Sequence, residues 1–388
     1  MTHPTDDATP DDIAPGADES ADTPLAQELK TTIAASGPIT VEHFMALCLG
    51  HPRHGYYMTR DPLGLSGDFI TAPEVSQMFG ELIGLWAAEV WHAMGAPAQV
   101  RVVELGPGRG TLMRDFLRAA KAVPGFRNAI DLHLVETSPV LRSLQATTLA
   151  DSDIAPHWHD AFAQVPEGPV IVIANEFFDC LPVRQYVRAN GNWHERLIGL
   201  DAYENLAFGL APEPETALTR DAPDGVLMEF PASHLIAMRH IAERVTRDGG
   251  ALLAIDYGHL RTGYGETLQA LRDHSFVGVL EAPGESDVTV HVDFAALAQA
   301  ALMTGAVVHG PVLQGDFLNH LGINERAATL KAHAPAHAVA IDAAVARLTD
   351  SDSRGMGNLF KVMAVANPDL PLLPGFGSYR QPGAGDQP

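Results

Sequence analysis

Val102-Val103-Glu104-Leu105-Gly106-Pro107-Gly108-Arg109-Gly110-Thr111 is the stretch that decides the fold of this chain. The apolar run at 100–105 stops at the glycines. Residues 111–123 then place Leu112, Phe116, Leu117 and Ala120 at helical spacing and end before Pro124-Gly125. A strand that enters a glycine turn and leaves it as a helix presents backbone N–H groups to a ligand at the helix N-terminus. The same turn can also be a purely structural connection. A dinucleotide fingerprint needs a further glycine at 111, where this chain has Thr. Glu104, two residues before the first glycine, suits the ammonium of a bound amino acid and repels a pyrophosphate. Alone this turn is a weak signal; together with the acids at the other strand ends it points to S-adenosylmethionine, with Gly106, Pro107, Gly108 and Gly110 around its methionine portion.

Outward from this unit, residues 132–135 and the Val-Ile-Val-Ile-Ala run at 170–174 read as strands. So does 251–255 after a Gly-Gly break, and 306–314 and 359–366 could supply the last two. The central runs are apolar on both faces, as in a parallel sheet covered by helices. Alternating strands and helices predict an α/β doubly wound, Rossmann-like sheet. Acids recur where its strands end: Glu136 after the second, Asp160 after a third at about 157–159, Asn175-Glu176 after the fourth, and Asp256 after the fifth. Such ends converge on the ligand crevice. Glu136 can accept bonds from both ribose hydroxyls, Asp160 from an adenine amino group, and Asn175 can join them. Each acid alone could instead cap the following helix.

Two stretches exceed a minimal doubly wound domain. Residues 24–95 end in a helix at about 74–94, and residues 183–230 contain an Asn190-Gly191 hairpin signal. Both are expected to cover the open edge of the crevice, so the domain expected to bind S-adenosylmethionine and carry methyl transfer would span 96–366 with an insertion at 183–230. Residues 1–23 carry seven acids and no Lys or Arg, and are expected to be a disordered tail. The Pro- and Gly-rich end, 367–388, is expected to be flexible.

The formal charge of −23, from 25 basic against 48 acidic residues, argues against a nucleic-acid substrate. No apolar run reaches the ~18 residues of a membrane span. Two cysteines, Cys48 and Cys180, cannot make a disulfide framework, which suggests a reduced, cytoplasmic setting. No grouping has zinc-ligand spacing, so no metal is expected. The oligomeric state is not readable.

Three acidic elements are candidates for the acceptor. Asn175-Glu176-Phe177-Phe178-Asp179 places Glu176 and Asp179 around two aromatics directly after the fourth strand; paired carboxylates match the planar fork of a guanidinium. The phenylalanines could equally be core and Asp179 a cap. Asp68 lies in Ser66-Gly67-Asp68-Phe69-Ile70-Thr71-Ala72-Pro73-Glu74, a loop able to act as a lid, where Thr71 and Glu74 have capping-box spacing. His291, two residues before Asp293 in a strand-like pattern, is a candidate proton acceptor.

Together these segments resemble the MidA-like family. The matching pieces are His54-Gly55-Tyr56-Tyr57, residues 67–74, residues 104–113, residues 174–179, Ile255-Asp256-Tyr257-Gly258, His291-Val292-Asp293-Phe294 and Gln314-Gly315-Asp316-Phe317-Leu318. The resemblance spans about residues 25–366. It implies a class I methyltransferase fold with added segments and arginine methylation of a protein. In the mitochondrial members, which are complex I assembly factors, the substrate is a respiratory complex I subunit. Those members carry a basic targeting segment where this chain has acids, which favours a bacterial, cytoplasmic relative. Two other functions fit the same motifs: a cofactor-binding assembly factor that works by docking its partner, and a small-molecule methyltransferase.

Overall fold

A computed structural model describes residues 22–60, 71–352 and 355–377. The central sheet has eight strands: the short Val292–Asp293 pairs with the end of the fifth, and the other seven are β1 (Val100–Leu105), β2 (Ile130–Val135), β3 (His157–His159), β4 (Val170–Asn175), β5 (Gly250–His259), β6 (Val307–Leu313) and β7 (Phe360–Ala366). Their spatial order is β3-β2-β1-β4-β5-β7-β6. The first five are mutually parallel, and β7 runs antiparallel between β5 and β6. The order reverses direction between β1 and β4. The loops after those two strands therefore diverge to opposite faces and leave a crevice between them.

Every residue of β4 and of β7 is buried, which accounts for their nearly continuous apolar composition, interrupted only by Asn175 and Lys361. One face is covered by the helices Gln77–Ala93 and Thr111–Ala120, which pack along each other. Gly80 and Gly84 allow this approach. A Cβ at Gly84 would lie 2.7 Å from the Phe116 carbonyl oxygen, and one at Gly80 2.8 Å from that of Leu112. The 17-residue helix 77–93 is thus embedded in the core of the sheet domain, with Met78, Phe79, Ile83 and Trp86 buried. It was expected within a covering segment; its apolar face is too broad to leave the sheet.

The remaining additions build a second core beside the strand ends. Helices Pro24–Ser36 and Val41–Gly50 pack on a five-stranded antiparallel sheet that contains the predicted hairpin, Arg184–Ala189 paired with Asn192–Leu200. Asn190 and Gly191 both have positive φ, as its two-residue turn requires. A three-stranded sheet, formed by 269–272, 275–277 and 287–289, joins this core. Its strands are short, and of the three only 287–289 falls in a stretch with a strand-like sequence pattern.

Two terminal expectations need correction. Thr23 is placed, accepting from the Ala26 N–H and donating to the Pro283 carbonyl. Residues 367–377 are packed rather than loose: Leu373 and Phe376 are buried, and Trp86 Nε1 donates to the Pro374 carbonyl at 3.2 Å. Aromatic neighbours outweigh the loop-forming composition of this stretch.

Candidate active site

The crevice is a cavity of about 990 Å³ bordered by the ends of β1, β2, β3 and β4. Glu104, Gly106, Pro107, Gly108, Glu136, Asp160, Asn175, Glu176 and Asp179 all line it. Gly110 does not. With φ at +80° it starts the helix 111–120 in a backbone conformation that side chains disfavour, and a Cβ there would meet Gln145 at ordinary contact distance. It shapes the turn without facing the cavity.

Glu104 is 3% exposed, its Oε2 has no hydrogen-bond partner, and burial pushes its carboxyl up to about 8. A buried carboxylate oxygen left unpaired is costly, and a ligand ammonium would satisfy it. Gly106 and Gly108, at φ +60° and +53°, carry the loop past Glu104 in the left-handed region. Glu136 accepts from the Ser138 N–H at 2.8 Å and from Gln145 Nε2 at 3.2 Å. Burial raises its carboxyl, and these bonds oppose the rise. Lone pairs remain for a diol. Asp160 is exposed and ion-paired to Arg142 at 2.6 Å. Asn175 Oδ1 is buried without a partner. An orphaned carboxylate, a carboxylate with spare lone pairs and an orphaned amide oxygen around glycine turns fit S-adenosylmethionine.

The acceptor side is a set of carboxylates at the ends of β4 and β5. Glu176 has φ +51°, unusual for a non-glycine residue, held by its N–H bond to the Ile255 carbonyl at 2.9 Å. Its carboxylate accepts from Asn175 Nδ2 at 3.0 Å. Burial, and next the neighbouring Asp179, push it up to about 8. Asp179, 4% exposed, takes the Tyr257 hydroxyl at 2.6 Å and the Cys180 thiol at 3.4 Å. Burial raises it, opposed first by the Tyr257 bond. Behind them Asp256 accepts three backbone N–H groups, from Phe178, Asp179 and Tyr257. Among the described residues, no Lys or Arg forms an ion pair with Glu176, Asp179 or Asp256. Two buried acids and a half-buried one without a counter-ion describe a receptor for a cation.

Phe177 lines the cavity, whereas Phe178 is core. Asp68 lies outside the described residues. The capping box at Thr71 and Glu74 does not form: Thr71 makes no side-chain cap. Ser76 instead caps the helix 77–93 through the Met78 N–H at 3.2 Å. Glu74 turns to the cavity, 4.0 Å from Arg109. His291 is outside the cavity. It borders a separate space of about 250 Å³ with His234, His259 and Asp293, and its ring meets that of Tyr257 at 5.5 Å. The expected shared strand face is absent because the chain breaks between 287–289 and 292–293, and Asp293 caps the next helix through the Ala296 N–H. The sequence assigned no role to Tyr57, Tyr257 or Asp287. Tyr57 donates to Asp287 at 2.8 Å from 230 residues away in the chain. Their only sequence signal is that Tyr57 and Tyr257 fall within motifs of the resemblance.

Residues 82–312 match the model of a family described as S-adenosyl-L-methionine-dependent methyltransferases. The chain belongs to this family. A crystal structure from Burkholderia thailandensis, bound to S-adenosyl-homocysteine, superposes on this methyltransferase with a TM-score of 0.81 and 29% identity. The match covers 91% of this chain and 94% of that one. The homologue of protein arginine methyltransferase NDUFAF7, mitochondrial, from Drosophila melanogaster is 37% identical over 383 residues, covering 89% of this chain and 86% of its own. The human protein arginine methyltransferase NDUFAF7, mitochondrial, is 36% identical over 334 residues, covering 79% and 75%. The class I fold and the use of S-adenosylmethionine thus rest on sequence and structure together. Among the described residues no helix of this methyltransferase is long and apolar enough to cross a membrane.

Proposed function

We propose that this methyltransferase modifies arginine side chains of a protein, with a respiratory complex I subunit as its substrate. The observation that carries the reading is the pair Glu176 and Asp179, the first half-buried and the second buried, both on the cavity and without a cationic partner among the described residues. S-adenosylmethionine supplies an electrophilic methyl group when bound. Glu104 would hold its ammonium, Gly106 to Gly108 its backbone approach, Glu136 its ribose, and Asn175 and Asp160 the remaining polar edge. Glu176 and Asp179 would meet the guanidinium fork with charge-assisted bonds. Glu176, whose proton affinity sits near neutral pH, would take the proton that the acceptor nitrogen sheds. Asp68 belongs to the same proposal as a further carboxylate for the guanidinium; His291 is left out of the chemistry because it lies behind Tyr257.

The names of the curated relatives, which are protein arginine methyltransferases, support the acceptor type. Those names also place the relatives in mitochondria. Mass spectrometry of complex I subunits from cells with and without the protein tests the function. The expected result is at least one arginine methylated only when the protein is present; an identical pattern in both refutes it.

A further inference from the structure

Asp179 does not stand alone against the acceptor. Its Oδ2 receives the Tyr257 hydroxyl at 2.6 Å, shorter than the bonds from Asn175 to Glu176 at 3.0 Å and from Cys180 to Asp179 at 3.4 Å. Tyr257 itself does not border the cavity; it stands behind Asp179 at the end of β5. Three constraints fix the ring. Its backbone N–H is held by Asp256 Oδ1 at 3.0 Å, and Asp256 Oδ2 takes the N–H of Asp179 at 3.3 Å, so one buried carboxylate ties both residues together. The ring is flanked edge-to-face by His291 at 5.5 Å and by Phe360 at 5.6 Å. A tyrosine so confined has one place to point its hydroxyl.

We propose that Tyr257 is a positioning residue for methyl transfer, holding the Asp179 carboxylate in the orientation and charge that receive a guanidinium, with Asp256 and His291 fixing Tyr257. The proposal rests on the arginine reading above. A phenol O–H donated to a carboxylate favours its ionised form, so Tyr257 acts against the burial that would otherwise protonate Asp179. It also engages Oδ2 from behind. His291 gains a part in this arrangement that differs from proton transfer: it is the wall against which Tyr257 rests.

The test is calorimetric titration of Nα-acetyl-arginine amide into the full chain saturated with S-adenosyl-homocysteine, at pH values from 5 to 8. It compares the parent, Tyr257→Phe, Asp179→Asn and the double variant. Tyr257→Phe should weaken the arginine probe about tenfold at pH 7, the size of one charge-assisted hydrogen bond. The low-pH limit of binding should move up by about one pH unit. S-adenosyl-homocysteine affinity should stay within about twofold, which reports an intact fold. In the Asp179→Asn background, adding Tyr257→Phe should change little, because both act on one interaction. Unchanged probe affinity with an unshifted pH limit, or additive effects in the double variant, would overturn the role of Tyr257. If the parent does not bind the arginine probe at all, the arginine reading itself is overturned, a result distinguishable from both.

Discussion

Replacing Glu104 with Gln should raise the stability of the ligand-free protein while weakening its hold on the cofactor. The Glu104 carboxyl sits at about 8 in the fold against an ordinary 4.5, because burial disfavours its charge. In the unfolded chain it ionises near 4.5. Between these values the folded state therefore binds the extra proton, and stability falls as pH rises through that window. At about 1.4 kcal/mol per pH unit the penalty at pH 8 reaches about 5 kcal/mol, and about half of that once water enters the open crevice. Gln carries no charge, so the variant escapes the penalty: it should be about 2–3 kcal/mol more stable than the parent at pH 8 and nearly equal at pH 4.5. Loss of a bond from ammonium to carboxylate costs about 1.5–3 kcal/mol, weakening S-adenosylmethionine tenfold to a hundredfold. Denaturant unfolding at the two pH values and calorimetric binding in buffers of different ionisation enthalpy measure both effects. Binding to the parent at pH 6.5 should release close to one proton, and binding to the variant none. A variant no more stable at pH 8, with unchanged affinity and proton release, would show that Glu104 neither carries this penalty nor meets the ammonium.

Three further outcomes follow from the packing and the site. Glu176→Gln keeps the Asn175 bond but cannot accept a proton; methyl transfer should fall by about 10²–10³ while S-adenosylmethionine affinity stays within a few-fold, measured by turnover and equilibrium binding. Gly84→Ala sets a Cβ against the Phe116 carbonyl and should force two tightly packed helices apart, lowering stability by about 1–3 kcal/mol in chemical denaturation. Ending the chain after Asn367 removes buried Leu373 and Phe376 and exposes the surface they cover. At about 1.5–3 kcal/mol per large side chain the loss is about 3–6 kcal/mol, visible as a lowered Tm. An unchanged Tm would mean the segment contributes nothing to the fold.

Local pattern alone determined the sheet domain. The apolar runs at 100–105, 170–174 and 360–366, the glycine turn between strand and helix, and the Asn190-Gly191 hairpin are each set by residues within one or two elements. Backbone sterics and burial act at that range, so spacing carries them. That Glu104, Glu136, Asp160 and Asn175 line one crevice was legible for the same reason: each lies at or near the end of a strand, and parallel strands bring their ends to one edge. Tertiary structure decided the rest. Whether Glu74 capped a helix or faced the cavity depended on Ser76 competing for the cap. Whether His291 met the acceptor depended on a break in its strand. The pairs Tyr57 with Asp287 and Tyr257 with Asp179 join segments 230 and 78 residues apart, and no periodicity encodes which side chains meet across such a distance. The same holds for Glu104. Its place before the glycines is a matter of sequence, but its proton affinity is set by the sheet and helices that keep water from it.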